Sequence, residues 1–411
     1  MELTKGQQEA LDMAIRISKR EGHAQAVGVL AGAAGTGKST LLKAIAEALD
    51  GTPIIICPTG KAAQRVTEAT GLPASTIHRW MYGVSLDRET GEMTFQLKPF
   101  EDIDRGGANL IIVDEASMVD KDLWQDIYEA ASMLQRNVLL VGDFFQLAPV
   151  KTDRDGNGYS LLAEDADVGH ERVVLTEVMR QALESPIIRA CTQIREGQAQ
   201  TALFSLPRVR IGEVIARAAE VVKGGGVVIC YKNETRHNLN NAIRKHLGLP
   251  RELVPGEPLL VVKNNYQYYR YNGENINFDG WEVGKEPKGF HTVKDKYKKT
   301  SFDTRFGVAS FDSGKHIGIL AESQVFGDMD DIGGHHIDNV ASYTVGKDQT
   351  VLHCNFGYAA TCHKAQGSEW NQVLVILEGN LRLDEEGGRR WAYTAVSRGK
   401  QEVSVCFGAK F

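Results

Sequence analysis

Long hydrophobic runs are missing from this 411-residue chain. No stretch approaches eighteen consecutive apolar positions, so no membrane-spanning helix is expected. The opening MELTKGQQEALDMAIRISKREG carries acidic residues and no apolar core, so it does not read as a secretory signal peptide. Cysteine is sparse and scattered. The six residues Cys57, Cys191, Cys230, Cys354, Cys362 and Cys406 include no Cys-x-x-Cys pair, a pattern that suits reduced thiols in a cytoplasmic protein better than a disulfide framework. The pairs His353-Cys354 and Cys362-His363 match no common zinc-ligand spacing. Net positive charge is missing too. At −6 the chain does not suit nonspecific wrapping of duplex DNA, although a local positive channel for one strand is compatible with it. There is no fixed-period repeat and no low-complexity tail.

The length allows two or three domains, and 42% hydrophobic with 24% charged residues is ordinary for a globular protein. An opening helix over roughly 7–20 leads into AVGVLAG, a buried strand, then a glycine loop and the helix STLLKAIAEAL. PIIIC runs into PTGKAAQRVTEAT, and NLIIVDEASMV and NVLLVGDFFQLAPV add two strands with polar ends. Alternating strands and helices predict an α/β fold with a parallel sheet and chemistry at the strands' carboxyl ends. Between 82 and 107 the pattern changes. VSLDRETGEMTFQLKPF alternates around ETGE and predicts a β-hairpin, read equally well as an ordinary surface feature or a protruding device. A second strand–loop–helix unit starts at GGGVVICYKNETRHNLNNAIRKHL without a phosphate-binding fingerprint, and is completed by TVLHCNFGYAATCHKAQG, NQVLVILEG and EVSVCFG. Residues 251–348 interrupt it with a Gly-, Tyr- and Lys-rich stretch of short strands, read as an inserted β-domain of SH3-like type.

Gly32-x4-Gly37-Lys38-Ser39 fits a phosphate loop in full. Its glycines, Gly32, Gly35 and Gly37, with Thr36, let backbone N–H groups approach phosphates, and the helix beginning at Lys38, Ser39 and Thr40 favours negative charge at its start. Lys38 should bridge the β- and γ-phosphates of ATP, and the Ser39 hydroxyl should ligate Mg²⁺. Asp114 and Glu115 end an apolar strand, the first placed to hold Mg²⁺ and the second to deprotonate a water. The Gln146 amide suits contact with the γ-phosphate and that water, and Asp143 suits a tie between strand ends.

The segments LTKGQ, GAAGTGKST, CPTGKAA, STIHRW, IIVDEAS, GDFFQLAPV, EVMRQ, TCHKAQGSEW and AYTAVSRGK stand in the order found in superfamily 1, subclass B, DNA helicases. The chain most resembles their RecD-like, phage Dda-like group, with Ala148 where relatives often carry a second proline. The resemblance implies two RecA-like cores with ATP between them: core 1A over 1–81 and 108–178, the hairpin insertion 1B over 82–107, core 2A over 179–250 and 349–411, and the inserted domain 2B over 251–348. It implies that Gln7 reads adenine, that Arg180 and Arg398 reach the γ-phosphate from the second core, and that Gly367 and Glu369 contact ATP. Thr59, Lys61 and His78, with Thr361, His363 and Lys364, would hold a DNA strand, Lys364 and Gln366 bridging to the nucleotide side.

Phe95 or Phe100 in the hairpin would stack on a base at the fork, or simply pack the hairpin onto its domain. The Tyr- and Lys-rich segments 264–274 and 285–299 suit sugar-phosphate contact and equally suit protection of a strand edge. The activity implied is 5′→3′ translocation and unwinding by a cytoplasmic monomer that takes single-stranded DNA and junctions as partners, with replication or recombination proteins as candidates. An ATP-gated switch or loader would share the ATPase motifs. A metabolic P-loop kinase would leave the second core unexplained. DNA rather than RNA, and the polarity, rest on the resemblance alone.

Overall fold

The computed structural model describes residues 3–21, 25–86, 93–103, 106–149, 161–162, 168–169, 171–179, 184–263, 265, 267–268, 270, 273–295, 300–326, 337, 340, 350–379, 381–409 and 411. Unbroken apolar runs such as VGVLAG, IIIC, LIIV and NVLLVG suit strands covered on both faces, and each is fully buried. The amino-terminal half carries β1 (Val27–Gly32), β2 (Ile54–Cys57), β3 (Ala74–Thr76), β4 (Tyr82–Leu86), β5 (Met93–Leu97), β6 (Leu110–Val113), β7 (Asn137–Gly142) and β8 (Glu171–Leu175). Six of them form a parallel sheet in the order β3-β2-β6-β7-β1-β8.

Helices α1 (Lys5–Ser18), α2 (Lys38–Ala48), α3 (Gly60–Thr70), α4 (Ile77–Met81) and α5 (Lys121–Met133) cover this sheet. Met13 and Ile17 of α1 pack with Leu41 and Ile45 of α2 in one core, while Trp80 of α4 and Ile127 of α5 sit in a second. At the start of α1 the Thr4 hydroxyl accepts the Gln7 backbone N–H at 3.3 Å and the Gln7 side-chain oxygen Oε1 accepts the Thr4 N–H at 3.0 Å. This reciprocal cap fixes the helix start and the Gln7 side chain together. β4 and β5 pair as an antiparallel hairpin from Tyr82–Leu97 to Leu86–Met93, and its tip, 87–92, lies outside the described residues.

The carboxyl-terminal half holds β9 (Val227–Cys230), β10 (Pro258–Val261), β11 (Asn275–Trp281), β12 (His291–Asp295), β13 (Thr300–Thr304), β14 (Phe306–Phe311), β15 (His316–Ala321), β16 (Cys354–Phe356), β17 (Ala359–Thr361), β18 (Trp370–Leu377) and β19 (Gly399–Phe407). A second parallel sheet runs β17-β9-β18-β19. Beside it lies an antiparallel sheet, β15-β14-β11-β10-β16, with β12 and β13 as a separate ribbon.

One segment departs from the sequence pattern. VLHCNFGYAAT reads as a single strand of the parallel sheet, yet Cys354–Phe356 joins the antiparallel sheet beside β10 and only Ala359–Thr361 joins β9. The chain changes sheets at Gly357, where a Cβ would lie 3.1 Å from the Leu259 carbonyl carbon, so glycine permits the close crossing. The sequence pattern places the inserted unit at 251–348, and the sheet built from it also takes in 354–356. Arg244 fastens the two sheets together: it pairs with Glu257 at 2.6 Å and lies 4.3 Å over the Phe356 ring, while the Tyr358 hydroxyl donates to the same carboxylate at 2.7 Å. Among the described residues no helix is long and apolar enough to cross a membrane.

Candidate nucleotide and nucleic-acid site

The strand order β2-β6-β7-β1 sets four carboxyl ends side by side, so Thr59, Asp114, Asp143 and Gly32 emerge along one edge. Gly35 and Gly37 sit in the left-handed region, at φ 81° and 78°, where L side chains are strained. A Cβ on Gly37 would come within 2.6 Å of Gln7 Nε2. That amide nitrogen donates to the Thr36 carbonyl at 3.1 Å, which lays Gln7 against the loop. Lys38 Nζ donates to the carbonyls of Gly32 at 2.7 Å and Ala33 at 3.0 Å, so its ammonium rests inside the loop. Ser39 and Thr40 are exposed at the start of α2.

Asp114 and Glu115 are each 5% exposed. Burial, then the neighbouring Glu115 charge, raises the Asp114 carboxyl above its ordinary value. Burial pushes Glu115 up as well, but Arg65, Arg398 and Lys38 outweigh it and hold Glu115 below the usual carboxylate range. The dominant cation is Arg65, on α3. Its Nη2 donates to Glu115 Oε1 at 2.5 Å and lies 3.7 Å from Asp114, and its Nη1 donates to Glu369 of the second core at 3.2 Å. Gln146 is buried, and its Oε1 has no hydrogen-bond partner among the described residues.

The second core meets this edge through two segments. From the Glu386–Val396 helix, Tyr393 is 1% exposed; its hydroxyl donates to Asp143 at 2.5 Å and accepts the Ala34 N–H of the phosphate loop at 2.8 Å. Thr394 accepts the Leu147 N–H at 3.0 Å, and Arg390 donates to the Phe144 carbonyl at 2.7 Å. Arg398, 3% exposed, is held by the carbonyls of Thr394 and Ser368 at 3.1 and 3.2 Å.

The other segment is 361–370. Thr361 pairs level with Cys230 at the carboxyl edge of the sheet, whereas β18 begins at Trp370, near the amino edge. The short Cys362–Ala365 helix and the turn after it therefore cross the sheet from one edge to the other. On the way Gln366 Nε2 donates to the Leu147 carbonyl at 2.8 Å. A Cβ on Gly367 would lie 2.8 Å from Thr59 Oγ1, and Glu369 pairs with Arg65 and, at 3.4 Å, with Lys400. Lys61 stands 4.5 Å over the Trp370 ring.

Comparison with known proteins follows the same division. Residues 2–211 match the AAA domain family, and 356–406 match the UvrD-like helicase C-terminal domain. The chain belongs to the AAA-domain family, and its sequence is similar to RecD- and Dda-like helicases. This RecD/Dda-like chain is 30% identical over 384 residues to the ATP-dependent RecD2 DNA helicase of Deinococcus radiodurans, covering 90% of itself but only 46% of that relative. It is 26% identical over 453 residues to the ATP-dependent DNA helicase dda of Enterobacteria phage T4, covering 98% of both. In fold it resembles a Bacteroides Pif1 helicase solved with ADP-AlF3 and single-stranded DNA, at TM-score 0.55 and 16% identity over 98% of this chain and 92% of that one. The α/β fold is thus shared with that structure.

The structure gathers nine of the residues singled out from sequence along the cleft: Gln7, Gly32, Lys38, Asp114, Glu115 and Gln146 from the first core, Gly367, Glu369 and Arg398 from the second. Thr59 caps α3, its hydroxyl accepting the Ala62 N–H at 3.2 Å. His78 lies on α4 with its ring 5.4 Å from that of Tyr82. Thr361 is buried, and burial lowers the half-buried His363 imidazole below its ordinary pKa. Lys364 follows on the same short helix. Arg180 and the side chains of Phe95 and Phe100 lie outside the described residues. Sequence reasoning missed Arg65 and Tyr393. The available signal for Arg65 was its position four residues after Lys61, which puts both on one face of α3. Tyr393 lies in WAYTAV, the apolar half of its helix, and reads as core.

Proposed function

We propose that this chain is an ATP-dependent DNA helicase that translocates 5′→3′ on single-stranded DNA and separates duplex. One observation carries the reading: 361–370 crosses the second sheet, with Thr361 and His363 at one end and Gly367 and Glu369 on the first core at the other. One short connection then joins a strand-contacting end to a nucleotide-contacting end. In this reading Glu115, an ionised carboxylate, takes the proton of the attacking water, and the Gln146 oxygen, without a hydrogen-bond partner among the described residues, accepts from the same water. Arg398, and Arg180 by its motif, stabilise charge on the γ-phosphate when the cleft is closed, which ties hydrolysis to domain movement.

Ser39 and Asp114 offer hard oxygen donors, and Arg65, 2.5 Å from Glu115 but 3.7 Å from Asp114, leaves the Asp114 carboxylate the less engaged of the pair, so this set fits Mg²⁺. When bound, the ion neutralises phosphate charge. Thr59, Lys61 and His78 hold the strand on the first core, and the hairpin carrying Phe95, with Phe100 in the short helical turn just after it, serves as the wedge. We assign core 1A to 1–81 and 108–178, 1B to 82–107, core 2A to 179–250 and 349–411, and an SH3-like 2B to 251–348. The working form is a cytoplasmic monomer.

Strand displacement with ATP, on duplexes bearing a 5′ or a 3′ single-stranded tail, tests the reading. Displacement from the 5′ tail is the expected result. Displacement from the 3′ tail alone would reverse the polarity, and ATP turnover without displacement on either would leave an ATP-gated switch.

A further inference from the structure

Arg65 is the described residue whose side chain pairs with carboxylates of both cores within the cleft. It bonds Glu115 at 2.5 Å in its own core and Glu369 at 3.2 Å in the other, with Asp114 at 3.7 Å. A carboxylate gripped by a guanidinium in a charge-assisted bond is a poorer proton acceptor than a free one, because its lone pairs and charge are already engaged. A grip on Glu115 therefore opposes the role proposed for that residue, and a grip on Glu369 competes with a nucleotide for the same oxygens.

The element that carries Arg65 links this grip to the strand side. Thr59 caps α3, Lys61 lies one turn from Arg65, and both pack on the second core's 367–370 segment: Thr59 against Gly367, Lys61 over Trp370. Anything that draws Thr59 and Lys61 onto a phosphate backbone pulls on the helix that aims Arg65. We propose that Arg65 is a restraining clamp: it holds Glu115 and Glu369 out of use in the resting cleft and lets go when a nucleotide claims Glu369 and a nucleic-acid strand engages the amino end of α3. Neither ligand alone breaks both arms, so the clamp makes hydrolysis depend on the two together. The inference rests on the helicase reading above and assigns Arg65 as a positioning residue acting through Glu115.

The test is ATP turnover of the full chain at saturating ATP, with and without oligo-dT, for wild type, Arg65→Gln, Arg65→Lys and Arg65→Met. The expected result is a strand-free rate raised about tenfold in Arg65→Gln, the effect of losing one charge-assisted bond, with a strand-saturated rate near wild type. The stimulation ratio then collapses, and Arg65→Lys restores most of it. A general loss of structure lowers rates and does not raise the strand-free one. If both rates of a folded Arg65→Gln fall in proportion, or the strand-free rate stays put, the clamp is wrong. Should that variant fail to fold, Arg65→Met decides, since it keeps an unbranched aliphatic stem and removes the guanidinium that makes both arms: a raised strand-free rate supports the clamp and an unraised one overturns it. Wild type without strand-stimulated hydrolysis would instead sink the helicase reading itself.

Discussion

The two parallel sheets share an architecture and differ in where their polar residues stand. In the first, the carboxyl ends of β1, β2, β6 and β7 each deliver a working group: the phosphate loop, Thr59, Asp114-Glu115 and Asp143. In the second, the groups facing the cleft come from connections instead, namely the 362–369 crossing, Tyr393 within its helix and Arg398 just after it. A group at a strand's carboxyl end is fixed by the sheet ladder, whereas one in a connection moves with the helix that carries it. The first core is thus suited to hold the reactants, and the second to arrive and leave.

Breaking the holding side should cost most. Lys38→Ala removes the ammonium seated on Gly32 and Ala33, and ATP turnover should drop on the order of 10²–10³-fold while strand binding by fluorescence anisotropy persists. Normal turnover would remove the loop from the chemistry. Next comes the contact where the cores touch. Gly367→Ala places a Cβ 2.8 Å from Thr59 Oγ1 at φ 71°, a left-handed cost of roughly 1–2 kcal/mol before any clash. Strand-stimulated turnover should fall more than strand-free turnover, with a lowered melting temperature. Equal losses in both rates would mean that the crossing is only a connection.

The smallest effect sharpens the strand side. Burial, then the Lys400 charge, lowers Lys61 to about 8. A lysine with a depressed pKa is charged below that value and neutral above it, so its phosphate contact is present at pH 7 and lost at pH 9. The log–log salt slope of strand affinity should shrink by about one across that window. Lys61→Arg should keep the slope constant; a slope in wild type that ignores pH would remove Lys61 from the strand path.

Much of the first core is legible in sequence because its signals are local. Unbroken apolar strands and glycine loops leave little choice of sheet or edge, and the nine ordered segments name the superfamily. What stays hidden depends on partners far along the chain. Arg65 reads as a solvated cation on an amphipathic helix, since nothing nearby in sequence announces Glu369, 304 residues later. Cys354–Phe356 reads as part of β17 because apolarity is continuous across Gly357, and only tertiary pairing with β10 separates them.

The cysteines have an experimental consequence. All six are buried, and burial pushes each thiol above its ordinary value, which leaves almost no reactive thiolate at neutral pH. The wild-type chain should therefore be nearly silent to maleimide dyes. Cysteines introduced at exposed Met133 on the first core and exposed Ile211 beside the second would carry a fluorophore pair with little background. The cleft's opening and closing could then be followed one molecule at a time, without first stripping the chain of its own thiols.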